Sequence, residues 1–161
     1  MNTLHLKTAS PNDLENINAI VVAAIQTWQL VPRLARLVAV THQYESSDFL
    51  TMNFYFLCLP DLTEVGIMAL EPQPDDHNLL LHGLYILPDY QNQGLGRQAL
   101  NLAKEHVVSG GFRGLLVKAH ASARNFFAQQ TLTLLPIKNP ERDYPHRYFW
   151  SVEAPDDRLS H

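Results

Sequence analysis

The chain has 161 residues, 46% of them hydrophobic and 17% charged, with a formal net charge of −4. That composition can bury a core and excludes a disordered chain, while the acidic balance without a Lys/Arg cluster argues against a general nucleic-acid partner. One cysteine, Cys58, excludes an internal disulfide and fits a reducing compartment.

The first residues, "MNTLHLKTASPNDLEN", carry no apolar core of a secretory leader, and "AIVVAAI" is too short to cross a bilayer. The expectation is a soluble, cytoplasmic protein with no membrane partner and one domain over residues 1–161. "LHLKTAS" reads as a first strand. Ser10 then reads as an N-cap, with Pro11 at the first helical position and Asp13 in the first turn. Leu14, Ile17, Val21, Ala24, Ile25 and Trp28 follow at helical spacing, and Pro32 is expected to break that helix. "RLARLVAVTHQY" predicts a second, shorter helix.

"FLTMNFYFLCL" and "EVGIMALE" read as strands, joined by a hairpin turn at Asp61–Thr63. "EPQPDDHN" reads as a loop before a fourth strand, "LLLHGLYIL". Beyond Gly94 the pattern is helical through Leu95, Ala99, Leu102, Ala103, His106 and Val107, and Gly110–Gly111 stop it. "RGLLVKAH" is a fifth strand and "SARNFFAQQ" a short helix. "LTLLPI" and "HRYFWSVE" close the chain as two strands. The order β-α-α-β-β-β-α-β-α-β-β predicts an α+β fold around a mixed central sheet.

The junction "LPDYQNQGLGRQAL" raises a chemical question. Glycine weakens helices, yet Gly94 and Gly96 stand where a helix should begin. The first amides of a helix lack internal partners and lie at the positive end of its dipole. Two residues without Cβ let an anionic phosphate approach those amides. The plainer alternative is a tight strand-to-helix turn with nothing bound. The third glycine of a dinucleotide fingerprint and the Gly-Lys-Ser/Thr of a Walker A loop are both missing.

The stretch Gln91-Asn92-Gln93-Gly94-Leu95-Gly96 after Ile86-Leu87-Pro88 resembles the acetyl-CoA signature of the GNAT acetyltransferase superfamily, Gln/Arg-x-x-Gly-x-Gly/Ala. The element order is similar along nearly the whole chain. The resemblance implies a mixed central sheet flanked by helices in α/β/α layers, with strands 4 and 5 splayed. It implies acetyl-CoA as co-substrate. The backbone of Leu84, Tyr85 and Ile86 matches the pantetheine-binding strand. Asn92, Gln93, Gly94, Leu95, Gly96 and Arg97 match the pyrophosphate loop. The acceptor implied is a small-molecule amine or a protein amino group, and a homodimer through late strands is implied as well. Gly66 stands where many members carry a glycine on the third strand.

The chain departs from the family after the fifth strand. Many members read Asn-x-x-Ala-x-x-Phe-Tyr there, followed by Gly-Phe. Here His120 replaces the asparagine, Phe127 the tyrosine and Thr131-Leu132 the Gly-Phe pair. In many relatives that tyrosine protonates the leaving thiolate, which Phe127 cannot do. Tyr144 or a water is then the candidate acid, or the thiolate leaves unassisted, or the protein binds CoA without catalysis. His82 shares an alternating face of strand 4 with Leu84 and Ile86. It matches the base histidine of arylalkylamine acetyltransferases, and an imidazole titrating near about 6.5 suits that work. The alternative for His82 is a buried core histidine. His120 is a second candidate. Eight histidines carry no convincing metal-ligand spacing, so no metal is expected.

Overall fold

Among the described residues, eleven α-helices and strands follow one another in the expected order. They are β1 (His5–Thr8), α1 (Leu14–Ile25), α2 (Pro32–His42), β2 (Asn53–Cys58), β3 (Glu64–Gln73), β4 (Asn78–Ile86), α3 (Leu95–Ser109), β5 (Gly114–Lys118), α4 (Arg124–Ala128), β6 (Thr133–Leu134) and β7 (Arg147–Ser151). The structure, a computed structural model, describes residues 3–120 and 123–152. Ser122 of the expected fourth helix and Glu153 of the expected last strand lie outside them.

The strands form one seven-stranded mixed sheet in the order β1-β2-β3-β4-β5-β7-β6. β4 and β5 run parallel, while β1–β2, β2–β3, β5–β7 and β6–β7 are antiparallel. The β4–β5 ladder pairs Asn78–Leu81 with Gly114–Val117, and β4 then runs on to Ile86. The chain divides into two compact units, Met1–Leu70 with Gly83–Leu100, and Glu71–His82 with Asn101–His161.

In the first unit, period-2 and period-3.6 patterns meet. Ile17, Ile20, Val21, Ala24 and Ile25 of α1 are buried in one cluster with Phe54 and Phe56 of β2 and Ile67 and Ala69 of β3. The α1 entry is fixed by Asp13, whose carboxylate accepts the Ser10 N–H at 2.9 Å. A Cβ built on Gly66 would lie 2.4 Å from the Tyr85 carbonyl oxygen. Gly66→Ala should therefore cost about 2–3 kcal/mol and lower Tm by about 5–10 °C, read by calorimetry. An unchanged Tm would mean that β4 can shift away freely. In the second unit, Leu115 and Val117 of β5 and Tyr148 of β7 are buried. Lys104 lies over the Trp150 ring, 5.4 Å from its centroid, and donates to Thr131 Oγ1 at 2.9 Å.

Several boundaries differ from expectation. α1 ends at Ile25, because the Thr27 and Trp28 amides tighten onto the Ala24 and Ile25 carbonyls at 3.1 and 2.9 Å. Trp28 therefore lies in the turn beyond the helix. Pro32 does not break α1; it opens α2, where a missing N–H removes no helical bond. The aromatic strand is shorter than its composition suggests. Ser46–Leu50 form a 3₁₀ turn, entered where Asp48 accepts the Glu45 N–H at 2.7 Å. β3 extends to Gln73, so the expected loop shrinks to a turn through His77 at φ +57°. β6 keeps only two residues of "LTLLPI".

Candidate active site

The junction after β4 is built by local chemistry. Pro88–Tyr90 make one 3₁₀ turn, and Asn92 and Gly94 take φ of +62° and +79°. Asparagine tolerates that left-handed region and glycine enters it without a Cβ penalty. The first helical hydrogen bond of α3 that closes on the loop runs from the Gln98 N–H to the Gly94 carbonyl, at 3.2 Å. The amides of Leu95, Gly96 and Arg97 thus precede any carbonyl the helix can offer them. A Cβ on Gly94 would meet nothing within 4 Å, so the loop opens onto space there. Leu95 is 2% exposed, which anchors the helix start and leaves its amide as its only contribution. Asn92, Gln93, Gly94 and Arg97 are exposed, and Gly96 is half-buried. Amides at the positive end of a fifteen-residue helix, beside a glycine with room above it, fit a pyrophosphate.

The main chain of β4 has two sides. The Leu87 N–H bonds the Val65 carbonyl of β3 at 2.8 Å, so by alternation Tyr85 and Leu87 turn their backbone toward β3. Leu84 and Ile86 turn theirs the other way. Of the three expected pantetheine contacts, only Leu84 and Ile86 present backbone groups away from β3. Tyr85 contributes its ring instead. It stacks on Trp28 with centroids 6.3 Å apart and 16° between planes. It also shares a hydrogen bond with Tyr44, and burial pushes its hydroxyl up to about 12. Tyr44 is itself held by Asn18, which accepts the Tyr44 N–H at 2.8 Å and donates to its carbonyl at 2.9 Å.

His82 is exposed, whereas Leu81 and Gly83 on either side are buried. The strand pattern thus places it with Leu84 and Ile86, and the core-histidine alternative does not describe it. Past the end of β5, Tyr144 reaches the main chain of the residue before His120. The Tyr144 hydroxyl donates to the Ala119 carbonyl, and the His120 carbonyl accepts the Ala123 N–H at 2.8 Å. Burial raises the Tyr144 pKa. Phe127 is buried, packed against Phe126 and Tyr148 with centroids 5.0 and 6.0 Å away. Cys58 is buried too, and desolvation raises its thiol pKa. Among the described residues, no group of three or more His, Cys, Asp or Glu could hold a metal ion, and no helix is long and apolar enough to cross a membrane.

From the sequence, Gln91 reads only as the first letter of the signature. In the structure its carboxamide nitrogen donates to both the Ile86 carbonyl, at 2.9 Å, and Thr27 Oγ1, at 3.1 Å. Gln93 Nε2 adds a bond to the Asp89 carbonyl at 3.2 Å. The signal for the Thr27 contact is absent from spacing, because the two residues lie 64 positions apart.

Solved structures share this architecture. A GCN5-related N-acetyltransferase of Rhodopseudomonas palustris superposes with a TM-score of 0.72 over 94% of this chain and 98% of its own, at 20% identity. PaiA N-acetyltransferase from Thermoplasma acidophilum, in complex with coenzyme A, gives 0.70 over 92% and 99%, at 14% identity. AtaTR bound with acetyl-CoA gives 0.59 over 98% of each chain, at 18% identity. At these identities the likeness is one of fold. Comparison with curated proteins gives no match. The model of the acetyltransferase (GNAT) family matches residues 25–131, well over half of the chain. The chain belongs to the GNAT acetyltransferase family.

Proposed function

We propose that residues 1–161 act as one acetyltransferase domain that moves the acetyl group of acetyl-CoA onto an amine by direct attack. The observation that carries this reading is the Gln91–Arg97 junction, where left-handed Asn92 and Gly94 set three helix amides beside open space. Coenzyme A and acetyl-CoA in two structures of the same fold support it. The acceptor is a small-molecule amine or a protein amino group, and the site of action is the cytoplasm.

Acetyl-CoA supplies an activated acyl carbon. The protein does the rest by binding and proton handling. Loop amides and Arg97 neutralise the pyrophosphate, and the Leu84 and Ile86 backbone orients the pantetheine arm. His82 takes the proton from the amine as nitrogen bonds to the carbonyl carbon and the carbon–sulfur bond breaks. No side chain must become a nucleophile, so the buried Cys58 stays outside the reaction.

The sulfur leaves as thiolate and takes its proton from water. Phe127 has none to give, and the Tyr144 hydroxyl directs its own to the Ala119 carbonyl. Tyr144→Phe should therefore change kcat less than about threefold while costing about 1 kcal/mol of stability from the lost hydrogen bond. A hundredfold fall in kcat with KM unchanged would assign the proton to Tyr144.

Isothermal titration with CoA and acetyl-CoA, followed by an amine screen that detects released thiol, tests the proposal. Tight binding and thiol release with at least one amine class is the expected result. Binding without turnover for any amine would favour a CoA-binding protein without catalysis, a reading that buried Phe127 favours. No binding would remove the site assignments altogether.

A further inference from the structure

The Gln91 carboxamide has two hydrogens, and both are engaged. One goes to the last carbonyl of β4, that of Ile86, at 2.9 Å. The other goes to Thr27 Oγ1, just past α1, at 3.1 Å. The Thr27 hydroxyl donates to the Ala24 carbonyl at 2.7 Å, so it meets Gln91 with a lone pair. The Ile86 carbonyl can only accept. The two partners together fix which end of the amide faces inward: nitrogen toward both, oxygen away. A carboxylate here would set oxygen against oxygen. A guanidinium offers the same pair of donors.

Next to this link, Trp28 stacks on Tyr85. Two consecutive residues after α1, Thr27 and Trp28, are thereby tied to two consecutive residues of β4, Tyr85 and Ile86. Gln91 itself is extended, at φ −77° and ψ 160°, and leads directly into left-handed Asn92. Anything that stiffens the loop therefore pulls on a side chain anchored outside it.

We propose that Gln91 is a positioning residue, a strut from the anion loop to both β4 and the end of α1, which sets the loop amides in advance and transmits loop occupancy to the α1–α2 corner. The inference rests on the cofactor reading for its second half only. A loop held before the ligand arrives loses less freedom on binding, so removing the strut weakens binding without removing any ligand contact. Transmission follows because the Thr27 and Trp28 amides close the last turn onto Ala24 and Ile25. Opening that turn exposes both to exchange, and anchoring it slows the opening.

The test combines CoA titration with amide hydrogen exchange on the full chain. In wild type, CoA should slow exchange at Thr27 and Trp28 by about tenfold. Gln91→Ala should weaken CoA about tenfold or more, the loss of two neutral hydrogen bonds. Gln91→Arg should recover most of it. Thr27→Val removes the α1 arm, and with it the bond from the Thr27 hydroxyl to the Ala24 carbonyl. It should weaken CoA about threefold at most and abolish the slowed exchange at Trp28. CoA binding as tight in Gln91→Ala as in wild type overturns the proposal, and so does slowed exchange that survives in Thr27→Val. If wild type binds no CoA, the cofactor reading falls by itself. The strut is then judged in the unliganded protein, where Gln91→Ala and Thr27→Val must speed exchange at Thr27 and Trp28; rates equal to wild type overturn it.

Discussion

Gly94→Asp should abolish CoA binding, weakening it at least about a hundredfold, with the fold retained. Two effects add. At φ +79° an L-residue carries strain of about 1–2 kcal/mol. The new carboxylate also projects into the space above the helix amides, where a Cβ would meet no protein atom. Strain alone gives about tenfold, if the loop answers by shifting its amides. Repulsion between the carboxylate and a pyrophosphate supplies the rest, and added salt should relieve part of it. Gly94→Ala separates the two contributions, since it carries the strain without the charge. Its affinity should lie between those of wild type and Gly94→Asp. Titration of all three proteins with CoA checks this. Wild-type affinity in Gly94→Asp would place the phosphates elsewhere and remove the loop assignment.

The same loop shows what the sequence could and could not reveal. The start of α3 just past Gly94 was legible because the 3.6-residue apolar period begins there, and the order of elements along the chain was legible because apolar runs alternate with turn residues. The face of His82 was legible from period-2 alternation, and exposure of His82 beside buried Leu81 and Gly83 follows it. The end of α1 was not. The apolar spacing runs on through Trp28, and nothing local says that the helix stops at Ile25 and that the indole leaves to stack on Tyr85. Pro32 carried two meanings, helix breaker and helix starter, and sequence alone favoured the wrong one. Gln91 was visible as a letter and invisible as a strut, because its partners, Thr27 and Ile86, are chosen by tertiary packing. The Asn18 bridge to the Tyr44 backbone was hidden for the same reason. Side-chain-to-backbone bonds of long sequence separation leave no periodic trace.

His82→Ala should lower kcat about 100- to 1,000-fold while leaving KM for acetyl-CoA within about threefold, in the range for loss of a positioned general base. The split follows from where the groups sit. The proposed cofactor contacts are main-chain groups of Leu84 and Ile86 and the loop amides, none of which the substitution alters. His82 is exposed at the point where the β4–β5 ladder ends, at Leu81 and Val117. Its removal opens no core cavity, and stability should change by about 1 kcal/mol or less. An amine that has lost its base must shed its proton to water, so the deficit should shrink as pH rises and more free amine is present. Free imidazole added to the Ala variant should restore part of the rate, because the site vacated by the ring can admit one. His82→Gln keeps a polar side chain of similar reach but cannot take a proton, so it should fall as far as His82→Ala. Steady-state kinetics of the three proteins across pH decide the matter. Equal kcat in wild type and both variants would show that the amine arrives already deprotonated, and His82 would then have no part in the chemistry.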